Sequence, residues 1–213
     1  MLTSSAIIDA ITISGTAAFA ISAVFAASEK HGDIFTILVL GMITAVGGGT
    51  LRDCILDVPV FWAQDLSYIY IACVSAIGGF LFYPLLKTKW INTSYLYIDA
   101  FAIAMFGIQG TEKAWGLGFG LPIAPVILGV ITAVGGGIIR DVLLQRPSLL
   151  LTKELYAIPV ALGCTLHVFV LDFAPEFSEL SAVISSLLII YLRHLSIQRN
   201  LSVPNWAILS NNK

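Results

Sequence analysis

The 213-residue chain is 58% hydrophobic and 11% charged, with a mean hydropathy of +0.92, against about a quarter charged residues in a soluble domain. That shortage excludes an ordinary soluble surface, so most side chains must face lipid or other helices. The net charge of −2, with no basic patch interleaved with aromatics, argues against nucleic acid as a partner.

A spanning helix needs about 20 mainly apolar residues, and seven stretches answer to that. The first, 6–27, carries Asp9 near its start. It lacks a basic leader and a small-residue cleavage site, so it reads as a retained helix. The second, 34–57, contains Gly47-Gly48-Gly49 and Arg52-Asp53. The third, 66–86, contains Gly78-Gly79, assigned to helix packing. The fourth, 95–111, is short and begins near Asp99. The fifth, 117–144, is long and interrupted by glycine and proline. The sixth, 154–173, carries His167, and the seventh is 178–198. Short polar links such as Lys87-Thr88-Lys89 join them, and 199–213 is a polar tail. The expected fold is an all-α integral membrane protein of seven transmembrane helices, one domain over 1–213.

Seven spans put Arg52 and Lys113 on one side of the membrane. Lys30, Lys87, Lys89, Arg140, Arg146, Lys153, Arg193, Arg199 and Lys213 fall on the other. The positive-inside rule then predicts an external N-terminus and a cytoplasmic C-terminus.

The string Gly41-Met-Ile-Thr-Ala-Val-Gly-Gly-Gly-Thr-Leu-Arg-Asp53 matches Gly129-Val-Ile-Thr-Ala-Val-Gly-Gly-Gly-Ile-Ile-Arg-Asp141, with ten of thirteen positions identical. Ala18-Phe-Ala-Ile21 similarly matches Ala100-Phe-Ala-Ile103, and Tyr68 falls on Tyr156. The unit holds three spans, about 6–86 and about 95–173, with the seventh helix outside it. Three is odd, so the second unit enters the membrane inverted, as in proteins whose pathway is lined from both leaflets.

Three consecutive glycines cost a helix about 1 kcal/mol each relative to alanine. Either the helix unwinds there and frees carbonyls toward a cavity, or the glycines form a flat surface for close packing. An intramembrane charge usually faces a partner or water. Arg52-Asp53 and Arg140-Asp141 therefore become candidate pore groups, with snorkelling or a structural ion pair as the bland alternative. Adjacent Arg and Asp project about 100° apart on a helix and need not pair. Inversion places the first pair in the outer half and the second in the inner half. Thr44, Gly47, Gly48, Gly49, Thr132, Gly135, Gly136 and Gly137 would line the centre. A cation or small polar solute there would meet the carbonyls of Gly47, Gly48, Gly135 and Gly136.

Asp9 and Asp99 read as helix-start or surface groups, and His167 as a satisfied structural histidine. Tyr68, Tyr70, Tyr95, Tyr97, Trp62 and Trp90 read as interface anchors. Cys54, Cys73 and Cys164 lack metal-ligand spacing and read as buried small hydrophobes. The Gly-rich strings lack a phosphate-loop ending, and no nucleophile is paired with a base, so no enzyme and no cofactor are expected.

The duplicated Gly-Gly-Gly-x-x-Arg-Asp at 47–53 and 135–141, in a seven-span chain of this length, resembles the prokaryotic branch of the TRIC (trimeric intracellular cation channel) family. That bacterial group also carries a domain name implying glycine transport. The resemblance implies a homotrimer with a pore in each protomer, conduction of monovalent cations (chiefly potassium), and glycine-broken second and fifth helices lining the pore. It implies a bacterial or archaeal cell membrane, with lipids as the other partners. The Lys-Glu-Val string of the animal members is absent here, so their phosphoinositide regulation does not carry over. The residues themselves leave a second reading open: an alternating-access transporter of a small neutral solute such as glycine.

Overall fold

Each predicted span becomes a helix, and polar residues at the ends decide its limits. A computed structural model describes residues 6–28, 30, 32–85, 88–152, 154–199 and 201, with the side chains of 88–90 excluded. Seven principal helices run through the described residues. They are α1 (Ala6–Ala26), α2 (Ile34–Ile55), α3 (Ser67–Phe82), α4 (Thr88–Gly116), α5 (Ile123–Leu143), α6 (Ala157–Phe173) and α7 (Ser178–Arg199). Six of these segments are long and apolar enough to cross a membrane, and α6 is a shorter apolar helix. A single-turn helix, Phe61–Gln64, precedes α3.

Two predicted spans need correction. The fourth was expected over 95–111, yet α4 runs over 29 residues. Polar Asn92-Thr93-Ser94 and Thr111-Glu112-Lys113 hide its first and last turns from an apolar window. The fifth was expected from 117, yet α5 starts at Ile123. Gly118 and Gly120 take left-handed φ angles of 65° and 57°, which turn the chain between α4 and α5.

Local chemistry sets the other limits. Asp33 caps α2 by accepting from the Thr36 N–H at 2.7 Å, satisfying one of the free donors of the first turn. The chain leaves α2 and α5 the same way, with left-handed φ at Asp57 (52°) and Gln145 (50°).

The packing follows the inverted repeat. Helix α1 lies against α2 and α3, and α4 lies against α5 and α6 in the same pattern. Equivalent helices also meet each other, α1 with α4 and α2 with α5. The two α1-type helices form the buried centre, where Phe19 stacks on Phe106 at 5.3 Å. Helix α7 packs on α4 and α6 and stands outside the repeat. The C-terminal ends of α2 and α4 meet through Asp53 and Lys113, and those of α5 and α1 through Arg140 and Ser22. These two meeting points lie at opposite ends of the bundle.

The expected helix breaks are absent. Helices α2 and α5 continue through both triple glycines, so the glycine carbonyls stay directed along the helix axis and form no open cage. The flat-surface alternative describes what occurs. A Cβ on Gly48 would collide with the Thr132 carbonyl, and one on Gly136 with the Thr44 carbonyl. The middle glycines thus let α2 and α5 touch backbone to backbone. The third glycines make room for neighbours: a Cβ on Gly49 would lie 2.6 Å from the Phe61 ring, and one on Gly137 3.1 Å from the Tyr156 hydroxyl.

Gly48→Ala and Gly136→Ala should each destabilise the protein by about 3 kcal/mol, the upper range for overpacking. Gly78, whose Cβ position is open, should accept alanine without loss, because alanine is the better helix former. Thermal unfolding of the three variants in one detergent compares them directly.

Candidate functional site

Each motif builds a buried charge cluster at one end of the bundle. Arg52, Asp53, Arg140 and Asp141 are all essentially inaccessible. The expectation that adjacent Arg and Asp would stay apart is corrected. Arg52 Nε and Nη2 lie 2.8 and 2.7 Å from Asp53 Oδ1, and Arg140 Nε lies 3.0 Å from Asp141 Oδ1. Buried away from solvent, the long guanidinium folds back onto the nearest carboxylate rather than remain unpaired.

The second carboxylate oxygen has its own task. Asp53 Oδ2 accepts from the Phe61 N–H at 2.9 Å, and Asp141 Oδ2 from the Leu149 N–H at 3.2 Å. Both partners lie eight residues downstream, so each aspartate ties a guanidinium to the returning loop. The repeat in fact runs on as Leu56-x-x-Pro59 and Leu144-x-x-Pro147, which is the sequence signal for this shared turn.

Beyond that core the ends differ. Arg140 donates to Asp99 Oδ1 at 2.7 Å, Ser22 Oγ at 2.9 Å and Tyr95 OH at 2.6 Å. Tyr156 OH donates to Asp99 Oδ2 at 2.9 Å. Arg193 of α7 stands over the Tyr156 ring, 5.1 Å from its centroid. Arg52 instead donates to Gln109 Oε1, and Lys113 Nζ reaches Asp53 Oδ1 at 2.7 Å. The first cluster holds two cations and one carboxylate. The second balances Arg140 and Arg146 against Asp99 and Asp141.

The Thr44 and Thr132 hydroxyls are buried and donate back to the Leu40 and Leu128 carbonyls at 2.7 and 2.5 Å. Neither is free for a solute in this packing. Asp99 is corrected from a helix-start group to a buried ion-pair partner, because α4 begins eleven residues before it. Tyr95 is likewise buried rather than an interface anchor, since its hydroxyl serves Arg140. Tyr70 is exposed, and Tyr97 OH pairs with His194 Nδ1 at 3.0 Å. Tyr68 packs edge-on to Phe61, and Trp62 Nε1 donates to Thr50 Oγ1 at 2.9 Å. The Trp90 side chain lies outside the described residues. Asp9 is exposed in the first turn of α1. Cys54 is corrected from a buried hydrophobe to an exposed one at the end of α2, Cys73 is half-buried, and Cys164 is buried.

A family model described as "Glycine transporter" matches residues 9–84 and again 96–172. The inner membrane protein YadS of Escherichia coli is 36% identical over 94% of this chain and 97% of its own length. The membrane protein YvgT of Bacillus subtilis is 41% identical over 72% of this chain and 75% of its own. A solved prokaryotic TRIC channel in 0.5 M KCl superposes with a TM-score of 0.84 at 31% identity, covering 92% of this chain and 98% of that one. The Rhodobacter sphaeroides orthologue of the TRIC trimeric intracellular cation channel gives 0.86 at 29% identity, over 92% and 100%.

The chain belongs to the prokaryotic TRIC family.

One family-model match lies on α1–α3 and the other on α4–α6, leaving α7 outside both. Within this TRIC fold the groups missed from the sequence are Ser22, Tyr95, Asp99, Gln109, Tyr156 and Arg193. They sit on α1, α4, α7 and the residue before α6, where no copy of the motif marks them. Breaking a buried ion pair by removing one partner costs about 3–5 kcal/mol. Asp99→Asn should therefore destabilise the protein by about 3 kcal/mol, whereas Asp9→Asn should leave thermal unfolding unchanged. Unfolding of both variants in detergent checks this.

Proposed function

We propose that this chain is a potassium-permeable cation channel, assembled as a homotrimer with one conduction path in each protomer. The observation that carries this reading is the match, over nearly the whole chain, to solved TRIC cation channels. The path would follow the α2–α5 crossing past Thr44, Gly47, Gly48, Gly49, Thr132, Gly135, Gly136 and Gly137, with Arg52-Asp53 at one end and Arg140-Asp141 at the other. The backbone contact at Gly48 and Gly136 closes that line, so conduction requires α2 and α5 to separate. A potassium or sodium ion would pass beside these glycines only in the separated state. A fixed guanidinium raises the barrier to a cation unless a carboxylate neutralises it, which is the service Asp53 and Asp141 perform.

The same reading gives the protein no catalytic role and no cofactor beyond the permeant ion. It sets the chain in the inner membrane, where the Escherichia coli relative is found, with the N-terminus outside and the C-terminus in the cytoplasm. The family description "Glycine transporter" favours one other reading, a carrier for a small neutral solute, and the same preparation separates the two.

Purified trimer in planar bilayers under a potassium chloride gradient should pass unitary currents that reverse near the potassium potential. Saturable glycine uptake into proteoliposomes without unitary currents would replace the channel with the carrier. Asp53→Asn and Asp141→Asn should change conductance or open probability more than Asp172→Asn, because Asp172 is exposed at the end of α6. Equal effects at all three would remove the motif carboxylates from the path.

A further inference from the structure

We propose that residue 12 sets how firmly the Arg52 end is held. Thr12 stands to Arg52 as Asp99 stands to Arg140, and a hydroxyl in place of a carboxylate leaves that end the looser of the two.

The register between α1 and α4 is read at the pseudo-twofold axis, where a residue meets its own equivalent. Phe19 of α1 stacks on Phe106 of α4, with 5.3 Å between centroids and 21° between planes. These residues are 87 apart in the chain. Ser22 and Gln109 are 87 apart as well, and they do one job. Each accepts from Nη1 of the motif arginine of the other repeat, Ser22 from Arg140 and Gln109 from Arg52. The matching strings Ala18–Ile21 and Ala100–Ile103 lie five residues out of this register, which hides the next correspondence from the sequence. In the observed register the equivalent of Asp99 is Thr12.

The two positions have matching surroundings. Thr12 is buried on the helix that packs against α2, as Asp99 is buried on the helix that packs against α5. Tyr156, which donates to Asp99 Oδ2, has Tyr68 as its equivalent. Tyr68 lies edge-on to Phe61, whose ring centroid stands 5.7 Å from the Arg52 guanidinium. The difference is in the side chain itself. The Thr12 hydroxyl donates to the Ile8 carbonyl of its own helix at 2.8 Å, and it has no charge to offer a guanidinium.

The two arginines register that difference. Nε, Nη1 and Nη2 of Arg140 all donate hydrogen bonds. Arg52 donates from Nε and Nη1. Its buried Nη2 lies 2.7 Å from Asp53 Oδ1 but makes no hydrogen bond among the described residues. Lys113 draws on the same Asp53 oxygen. A carboxylate at position 12 would give the Arg52 end two anions for two cations, as at the Arg140 end. It would also tie the end of α2 to α1 by a charge-assisted bond.

Hydrogen exchange of the full-length protein at constant pH tests this. The Phe61 amide, which donates to Asp53 Oδ2, reports the Arg52 end, and the Leu149 amide reports the other. Thr12→Asp should raise protection at Phe61 about tenfold or more, the scale of one charge-assisted hydrogen bond, and leave Leu149 unchanged. Thr12→Val, which keeps the shape and drops the hydroxyl, should leave both amides unchanged. Thr16→Asp places a carboxylate one turn on, where the equivalent residue is the buried Ile103. It should lower the unfolding temperature and raise protection at neither end. Phe61 protection in Thr12→Asp no higher than in the wild type overturns the proposal, and so does a rise shared equally by Leu149 or by Thr16→Asp. Failure of Thr12→Asp to fold while Thr12→Val folds overturns it too, because a carboxylate that meets Arg52 is accommodated.

The effect on conduction rests on the channel reading; the assignment of residue 12 does not. Under that reading, Thr12→Asp should cut the open probability in planar bilayers about tenfold or more, in step with the gain in protection. Protection that rises at Phe61 with open probability unchanged overturns the coupling of that end to gating. Absence of current from the wild type counts against the channel reading and leaves residue 12 as assigned by exchange.

Discussion

A guanidinium held away from water needs an anion within reach, and the architecture of this protein is arranged around two that satisfy that need. Arg52 and Arg140 are both inaccessible. Each takes the carboxylate next to it in sequence, and each carboxylate then holds the backbone of the returning loop. The Arg-Asp dipeptide is therefore a staple between a helix end and its connection. It explains why the motif is followed in both copies by the same left-handed turn.

The glycines solve a different problem. Two helices whose equivalents are related by inversion cross each other at the same residues, so any bulk at the crossing is counted twice. Glycine at 48 and 136 lets carbonyl oxygens of the opposite helix occupy the space a methyl would fill. In lipid, where apolar side chains gain little by leaving the bilayer, such close approach is a main source of helix association. The price is a helix that could unwind, and α2 and α5 do not, because packing on both sides holds them.

Much of the fold was legible because lipid imposes length and hydropathy on every span, and because the duplication exposes the inversion by count alone. The helix ends were less so: the polar first turns of α4 look like a loop until Tyr95 and Asp99 are seen to serve Arg140. At the site the motif residues stood out, but their partners did not. Asp99, Gln109 and Ser22 are single polar residues on helices without a repeated string, and only the crossing of α1 and α4 brings them to the guanidinia. The choice between unwound and tightly packed glycines was open in the sequence because both need the same residue.

Identical motifs do not make identical ends. To move the end of α5, bonds to α1 and α4 must break together, and Asp99 adds the tie through Tyr156 to the start of α6. Among the described residues, the charged groups at the end of α2 are tied to one other long helix, α4, through Gln109 and Lys113. That end also carries two cations to one carboxylate, so its charges oppose one another as well as attract. Charge-assisted bonds are each stronger than neutral ones, so the end with more of them, drawn from more helices, is the fixed one. Helix α7 reaches both ends, with Arg193 over the Tyr156 ring at one and Ser181 beside His167, which holds Glu112, at the other. Two identical motifs would open alike if they alone governed the ends; the unequal partners of the two arginines assign the easier movement to the Arg52 end.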